Sequence, residues 1–183
     1  MILNELITLA EIDDASLNPG ASELEVDSLE TLVEVDLPDD YWTFLHEHDG
    51  QRVDADTLLG HYRLMSIDEM EMMYTWGLKN DNITTVTRAD LNDPRAKEGL
   101  LWRPGWLFFA RQDTDGIFLV MDFSPTEEGK IGQIFEHHYE EPYFRVLAND
   151  FGHLVEITAD QIRAGKCLGR KKRARYDRLD FSK

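Results

Sequence analysis

The sequence contains one cysteine, Cys167, among its 183 residues. A single cysteine excludes a disulfide within the chain and is typical of reducing compartments, so we expect a cytoplasmic location. No apolar run approaches the ~20 residues that a membrane-spanning helix needs. The first residues, MILNELITLAEIDD, lack the basic cluster of a secretory signal peptide and carry Glu5 early. These absences predict a cytoplasmic protein that has no signal peptide and does not associate with a membrane.

Motifs of the common catalytic classes are also missing. The sequence contains no Gly-x-Ser-x-Gly, Walker loop, Gly-x-Gly-x-x-Gly or Cys-x-x-Cys pattern. His46 and His48 lie two apart on a predicted helix, and His137 and His138 are neighbours in a predicted strand, so each pair points to different faces. Asp113-Thr-Asp-Gly116 begins like a calcium loop but lacks the later ligands, which favours a hairpin turn. We therefore expect no enzyme activity, no cofactor and no metal site.

Lysine and arginine are absent from residues 1–51, which contain 14 acidic residues. The whole chain has a formal net charge of −17, although nine basic and two acidic residues follow from Arg163 onwards. An acidic body should repel nucleic acid and attract basic partners, with association that is fast and sensitive to salt.

Helical patterns dominate the first half of the chain. Ile2, Leu6, Ile7 and Ala10 recur at helical spacing. The patterns Ser22-x-x-Glu25 and Ser66-x-x-Glu69 are capping boxes, and Leu37-Pro38 followed by two aspartates suits the first turn of another helix. The predicted buried faces of these three helices are Val26, Leu29, Leu32 and Val33; Tyr41, Phe44 and Leu45; and Ile67, Met70, Met73 and Trp76.

Strand patterns dominate the second half. Short aromatic and β-branched runs separated by turn residues predict three consecutive strands, at Trp106–Arg111, Ile117–Phe123 and Ile131–His137. Leu58–Met65 and Tyr143–Ala148 are predicted as further strands. The polar stretch 79–99 is predicted as a loop, and Asn149-Asp150 caps a last helix carrying Phe151, Leu154 and Val155. The aromatic residues of the strand block fit a sheet core better than a ligand cleft.

These patterns predict an α+β fold. We expect a single domain over residues 1–165, with a mainly antiparallel mixed sheet and helices packed around it, followed by a basic C-terminal tail over residues 166–183.

The block from Trp102 to Gln133 resembles the signature region of the SUKH superfamily. It contains, in order, Trp-x-Pro-Gly-Trp, a hydrophobic strand followed by Asp-Gly, then Asp-Phe-x-Pro and Gly-x-Ile-Gly-Gln. Upstream, LPDDYWTFLHEHDGQ is similar to the helix of that family that ends in His-Asp-Gly-Gln. The resemblance covers 21–165. It implies a SUKH-like fold and a role like that of fungal cell-wall-assembly regulators or bacterial toxin-immunity proteins.

An acidic stripe is the candidate binding surface. Its residues lie at i, i+4, i+7 and i+11 on one predicted helix: Glu23, Asp27, Glu30 and Glu34. Like charges at i,i+4 each cost roughly 0.2–0.5 kcal/mol, and no lysine or arginine on this helix relieves them. The stripe is either a solvated face kept for solubility or a surface that contacts a basic protein. Four acidic loop positions are weaker candidates: Asp54, Asp56, Asp113 and Asp115.

The resemblance gives the basic partner an expected identity. Bacterial SUKH proteins typically bind and block a cognate toxin, often a nuclease, whose active site is basic because it holds phosphates. We therefore expect an immunity protein that occludes a basic toxin without binding nucleic acid itself. Two alternatives stay open: a regulatory scaffold of the fungal type, and an enzyme that acts on a cationic or polar substrate through a carboxylate pair.

The basic tail GRKKRARYDRLDFSK lies outside the resemblance. Two interpretations fit its composition: an arm that binds nucleic acid or directs targeting, and a segment that folds back on the acidic body. The sequence predicts no oligomeric state.

Overall fold

The fold is a five-stranded antiparallel sheet with helices packed against it. A computed structural model describes residues 2–53, 55–80, 93–95, 102–112, 116–139 and 144–166. The elements, in chain order, are α1 (Ile2–Leu9), a 3-10 turn (Asp14–Ser16), α2 (Glu23–Val33), α3 (Asp39–Glu47), β1 (Arg63–Leu64), α4 (Ile67–Lys79), β2 (Trp106–Arg111), β3 (Ile117–Asp122), β4 (Gln133–His138), β5 (Phe144–Ala148) and α5 (Phe151–Arg163).

The predicted helix starts are confirmed. Ser22 and Ser66 each cap a helix, and the glutamate three residues later returns its carboxylate to the backbone N–H of the serine. Pro38 stands at the N-cap of α3, and Asp150 caps α5 by accepting the N–H of His153 at 2.7 Å. Local capping chemistry therefore places four of the helices where the sequence predicts them.

The sheet has the strand order β1-β2-β3-β4-β5. All four pairings are antiparallel, so the expected mixed sheet is, in the described part of the chain, antiparallel throughout. Strands that are consecutive in sequence pair with each other, and the connection between β1 and β2 contains α4. Bulges interrupt the register in β2, between Phe108 and Ala110, and in β5, between Val146 and Ala148.

Aromatic residues fill the core between the helices and the sheet. Tyr41 of α3 contacts Phe109 of β2 and Phe151 of α5 edge-on, with ring centroids 5.7 and 4.8 Å apart. On the strand block the aromatic residues are at most 7% exposed: Trp102, Trp106, Phe108, Phe109 and Phe118. Their assignment to a sheet core is confirmed.

The signature motifs meet in one buried hydrogen-bond network. Asp122, which is fully buried, accepts the indole N–H of Trp106 at 3.1 Å, the amide of Gln133 at 3.1 Å and the backbone N–H of Ser124 at 2.9 Å. Burial raises the pKa of Asp122, and these three donors offset part of that rise. The amide of Gln133 also donates to the carbonyl of Arg95 at 2.8 Å. The motif residues therefore hold three separate segments together.

A second buried glutamine organises the edge of the sheet at β1. The side-chain oxygen of Gln51 accepts the N–H groups of Leu58 and Leu64, at 3.1 and 3.2 Å, and its amide donates to the carbonyl of Asp56 at 2.6 Å. The N–H of Gln51 also donates to the carbonyl of Leu64 at 3.0 Å. The outward-facing backbone groups of Leu64 in β1 are thus already bonded.

The opposite edge of the sheet is occupied in a similar way. Asp93 donates its N–H to the carbonyl of Phe144 at 3.0 Å, and its carboxylate accepts the N–H of Val146 at 3.4 Å. Arg95 holds that carboxylate through two side-chain hydrogen bonds, at 2.8 and 2.6 Å. Asp93 therefore bonds the carbonyl of Phe144 and the N–H of Val146 in β5.

The prediction of a strand over Leu58–Met65 is largely wrong. Only Arg63–Leu64 forms a strand, because Gly60 adopts a φ of +67° and the chain turns, with the N–H of Tyr62 donating to the carbonyl of Leu59. The apolar residues there are buried because they pack into the hydrophobic core, and not because they extend the sheet.

Some predicted faces also need correction. Leu32, Met73 and Trp76 are half-buried, and α4 instead buries Tyr74 and Gly77 against Trp102. The loop predicted over 79–99 begins after α4, which extends to Lys79, and most of it lies outside the described residues.

Candidate partner-binding surface

Helix α2 presents the acidic stripe on the side opposite its buried face. Val26, Leu29 and Val33 are at most 3% exposed, whereas Glu23, Asp27 and Glu34 are exposed. The two faces follow from the 3.6-residue period of the helix. The predicted stripe therefore exists as a surface, although its fourth member, Glu30, behaves differently.

Glu30 is half-buried and has a structural role. Its carboxylate accepts the backbone N–H of Leu37 at 2.7 Å, which ties the end of α2 to the start of α3. Glu34 ends the helix in a left-handed conformation, with a φ of +59°, and its N–H donates to the carbonyl of Glu30. This tight exit turns the chain back beside α2 and brings further acidic residues next to the stripe.

Two adjoining grooves follow from this turn. The first has a volume of about 470 Å³ and is lined by Asp27, Glu30, Thr31, Glu34, Val35 and Asp36. The second has a volume of about 490 Å³ and is lined by Glu30, Asp36, Leu37, Asp39, Trp42 and Thr43. Because Glu30 and Asp36 line both, the grooves form one continuous surface. We call it the acidic surface and define it by Asp27, Glu30, Glu34, Asp36, Asp39 and Trp42.

Trp42 is the aromatic member of the acidic surface. It is 36% exposed and packs against the ring of His46, with centroids 3.9 Å apart. The imidazole Nδ1 of His46 lies 3.1 Å from the carbonyl oxygen of Ala21. The indole of Trp42 thus packs on an imidazole that is itself held by a backbone contact, and its exposed part lies beside carboxylates that attract cations.

No cation within the described ranges neutralises the exposed carboxylates of this surface. The ion pairs seen there lie elsewhere: Arg63 with Glu69, Arg95 with Asp93, His138 with Glu136, and Arg163 with Glu5 and Asp160. The last turn of α2 also has no basic residue, so the negative end of its helix dipole adds to the same field.

A further carboxylate, that of Asp40, lies in the first turn of α3. Burial raises the pKa of Asp40, and the nearby carboxylate of Asp150 raises it further, while the N–H of Tyr41 partly offsets both effects. The charged form of Asp40 is therefore disfavoured relative to that of an isolated aspartate.

Of the four weaker candidates, the structure describes only Asp56, which lines neither groove. Asp56 is half-buried near Gln51, which donates to its backbone carbonyl. Asp54, Asp113 and Asp115 lie outside the described residues. Sequence reasoning missed Asp36, Asp39 and Trp42, although all three lie in the stretch without lysine or arginine.

The side chains of His137 and His138 face opposite sides of the sheet. His137 is fully buried among the rings of Trp106, Phe108 and Phe144, whereas His138 points to the other face and contacts Glu136 at 2.8 Å. In the described ranges, no three His, Cys, Asp or Glu side chains are arranged to hold a metal ion. None of the helices in those ranges is long and apolar enough to cross a membrane.

Comparison with known proteins assigns the family. The model of the SMI1 / KNR4 family (SUKH-1) matches residues 20–157, a range that runs from just before α2 into α5. The chain belongs to the SMI1/KNR4 family. Members of this family act through protein interactions and are in general non-catalytic regulators or immunity proteins.

One curated relative of this SMI1/KNR4 protein is a cell wall biosynthesis/cell cycle regulator, smi1, of Schizosaccharomyces pombe. The two are 29% identical over 163 residues, which cover 81% of the present chain. The aligned part is 32% of the relative, so the chain spans about a third of that protein's length. The range matched by the family model, residues 20–157, contains both the hydrogen-bond network of Asp122 and Gln133 and the acidic surface.

Proposed function

We propose that this SMI1/KNR4 chain is a non-enzymatic, cytoplasmic immunity protein that neutralises a cognate basic toxin by covering its active surface. A nuclease is the expected toxin class, because a site that holds phosphates is basic. The observation that carries the proposal is the acidic surface, in which exposed carboxylates line two joined grooves without a described counter-ion. Such a surface is electrostatically complementary to a phosphate-binding groove.

The groups that line the grooves suit binding better than catalysis. They are carboxylates, two threonines, Val35, Leu37 and Trp42, with no histidine, cysteine, serine or lysine among them. An acyl- or phosphoryl-transfer site needs a nucleophile with a base, or an electrophilic group, at the same place. A carboxylate can act as a base or nucleophile, but the groove linings contain no cationic or other electrophilic side chain beside it.

Trp42 supplies the apolar contact that charge alone lacks. Tryptophan is enriched among the few residues that carry most of the binding energy at interfaces, and its face attracts arginine and lysine side chains. Its position between Asp39 and Thr43 places the indole at the edge of the second groove. We therefore expect a basic side chain of the partner to stack on Trp42.

Charge reversal tests this proposal. The variant Asp27→Lys/Glu34→Lys/Asp36→Lys should bind and inhibit a toxin encoded beside its gene at least tenfold more weakly, since juxtaposed like charges cost several kcal/mol. A matched control, Glu127→Lys/Glu128→Lys/Glu156→Lys, changes the net charge equally on exposed residues outside the acidic surface. Equal loss in both variants would assign the effect to net charge alone. Unchanged inhibition in the first would exclude the acidic surface.

A regulatory scaffold is the second candidate, and the match to the Schizosaccharomyces pombe regulator favours it. Affinity purification from the native cell separates the two functions. One stoichiometric basic toxin supports the immunity protein, whereas several signalling or cell-wall-synthesis proteins support the scaffold. If the chain protects cells against none of the toxins encoded nearby, the immunity function is contradicted.

A further inference from the structure

The end of α2 is an environment that favours a cation. Glu34 is the C-cap, no basic residue lies in the last turn, and the chain continues through Asp36 into the second groove. Helix C-termini carry a partial negative charge, so lysine and arginine are the residues that stabilise them. Here carboxylates stand where cations would be expected, and the described residues provide no counter-ion.

The same chain carries a segment of opposite charge. Residues 167–183 contain seven basic residues and two acidic ones, and all of them lie outside the described part of the structure. The basic residue at the end of α5, Arg163, is already paired with Glu5 and Asp160. Seven basic residues follow Lys166 in the sequence, beginning at Arg170.

The segment is long enough to reach the acidic surface from α5. Seventeen residues follow Lys166, and an extended chain of that length spans about 60 Å. A domain of this size has a radius of gyration of about 15 Å and hence a diameter of about 40 Å. A segment tethered over such a span has an effective concentration near its own domain of about 1 mM, so weak ion pairs suffice for substantial occupancy.

We infer that residues 167–183 bind in cis to the acidic surface and compete there with basic partners. The basic residues pair with Asp27, Glu34 and Asp36, and one arginine stacks on the exposed face of Trp42. The inference rests on the acidic surface of the proposed function but not on the identity of the partner. Its consequence is selectivity: a partner must displace the segment, so weakly basic proteins are excluded.

Limited proteolysis of the full-length chain provides the test. Trypsin cleaves after Arg170, Lys171, Lys172, Arg173 and Arg175 only when these residues are released from the surface. The variant Asp27→Asn/Glu34→Gln/Asp36→Asn should be cleaved there at least about threefold faster, because each exposed ion pair contributes only modestly. The wild type in 0.5 M NaCl should approach the variant's rate, because salt screens exposed pairs. The control Glu127→Gln/Glu128→Gln/Glu156→Gln should be cleaved like the wild type.

Carboxylate–amine cross-linking of the dilute full-length chain locates the contact. Lys171 and Lys172 should link to Asp27, Glu34 or Asp36 within one molecule, and the links should disappear in 0.5 M NaCl. Links spread equally over Glu127, Glu128 and Glu156, links formed only between molecules, or equal cleavage of all variants would each overturn the inference. If these tests fail but the chain still inhibits the toxin, the proposed function stands without the tail contact. If the chain does not inhibit a toxin but these tests succeed, the tail contact stands without the proposed function.

Discussion

Replacing Gln133 by alanine should destabilise the fold severely, although Gln133 lies in no groove of the acidic surface. Its amide joins three segments: it donates to Asp122 at 3.1 Å and to the carbonyl of Arg95 at 2.8 Å, and its oxygen accepts the N–H of Lys130 at 3.1 Å. Gln133 is 1% exposed, so water cannot readily replace its side chain as the hydrogen-bond partner of these groups.

The expected magnitude follows from these three bonds. A hydrogen bond between neutral groups contributes about 0.5–1.5 kcal/mol, and one to a charged group about 1.5–3 kcal/mol. Allowing for non-additivity within one network, Gln133→Ala should lower the free energy of unfolding by about 3–5 kcal/mol. That is a large fraction of the 5–15 kcal/mol, roughly, that a domain has.

Urea unfolding followed by tryptophan fluorescence measures the loss, since Trp106 donates to the same carboxylate as Gln133. With a slope of about 2 kcal/mol per molar urea, the midpoint should fall by roughly 2 M. Gln112→Ala is the matched control. Gln112 lies just after β2 without a side-chain hydrogen bond to the described residues, so its midpoint should barely move.

The pH dependence adds a sharper criterion. Burial already raises the pKa of Asp122, and losing a donor to its charged form raises it further. A raised carboxyl pKa removes stability as the pH rises above the ordinary range near 4, so the deficit of Gln133→Ala should be larger at pH 7 than at pH 4. A midpoint shift no larger than that of Gln112→Ala, or a deficit that grows towards acid, would refute the reasoning.

Three further predictions concern packing, ion pairs and pH. Gly77→Ala should destabilise by about 1–3 kcal/mol in thermal unfolding, despite the helix preference for alanine, because the new Cβ would lie 2.2 Å from ring atoms of Trp102; equal or higher stability would show that the ring yields. Arg63→Met should cost about 3 kcal/mol in urea unfolding, because Arg63 is buried and donates to both carboxylate oxygens of Glu69, at 2.9 and 2.7 Å; an unchanged midpoint would contradict a structural ion pair. Burial raises the pKa of Asp49, with partial offset by the N–H of Ile67, so Asp49→Asn should be more stable than the wild type at pH 7 and equal to it near pH 3; a gain at low pH alone would show the opposite sign.

The helices and the central strands could be predicted because their causes are local. The capping boxes at Ser22 and Ser66 predict where two helices begin. The pairing of β2 with β3 follows from two aromatic runs on either side of turn residues. The false strand at Leu58–Met65 shows the limit of this reasoning. Its apolar pattern fits a strand, but the chain turns at Gly60, which has a φ of +67°, and the side chain of Gln51 accepts the N–H of Leu58.

The candidate site could be predicted only in part, for a similar reason. The stripe of Glu23, Asp27 and Glu34 follows from helical periodicity alone. Asp36 and Trp42 join it because Glu34 leaves α2 in a left-handed conformation and Glu30 bonds to the N–H of Leu37. Neither event has a sequence pattern of its own, since glycine and not glutamate is the usual residue at such a helix end.

The two occupied edges of the sheet limit how this protein can be recognised. A partner that adds a strand needs a row of unpaired N–H and C=O groups, but Gln51 and Asp93 already bond such groups of β1 and β5. The same blocking discourages edge-to-edge aggregation between copies of the chain. We therefore expect recognition to depend on side chains exposed on the helices, whose replacement would leave the hydrogen bonds at the sheet edges intact.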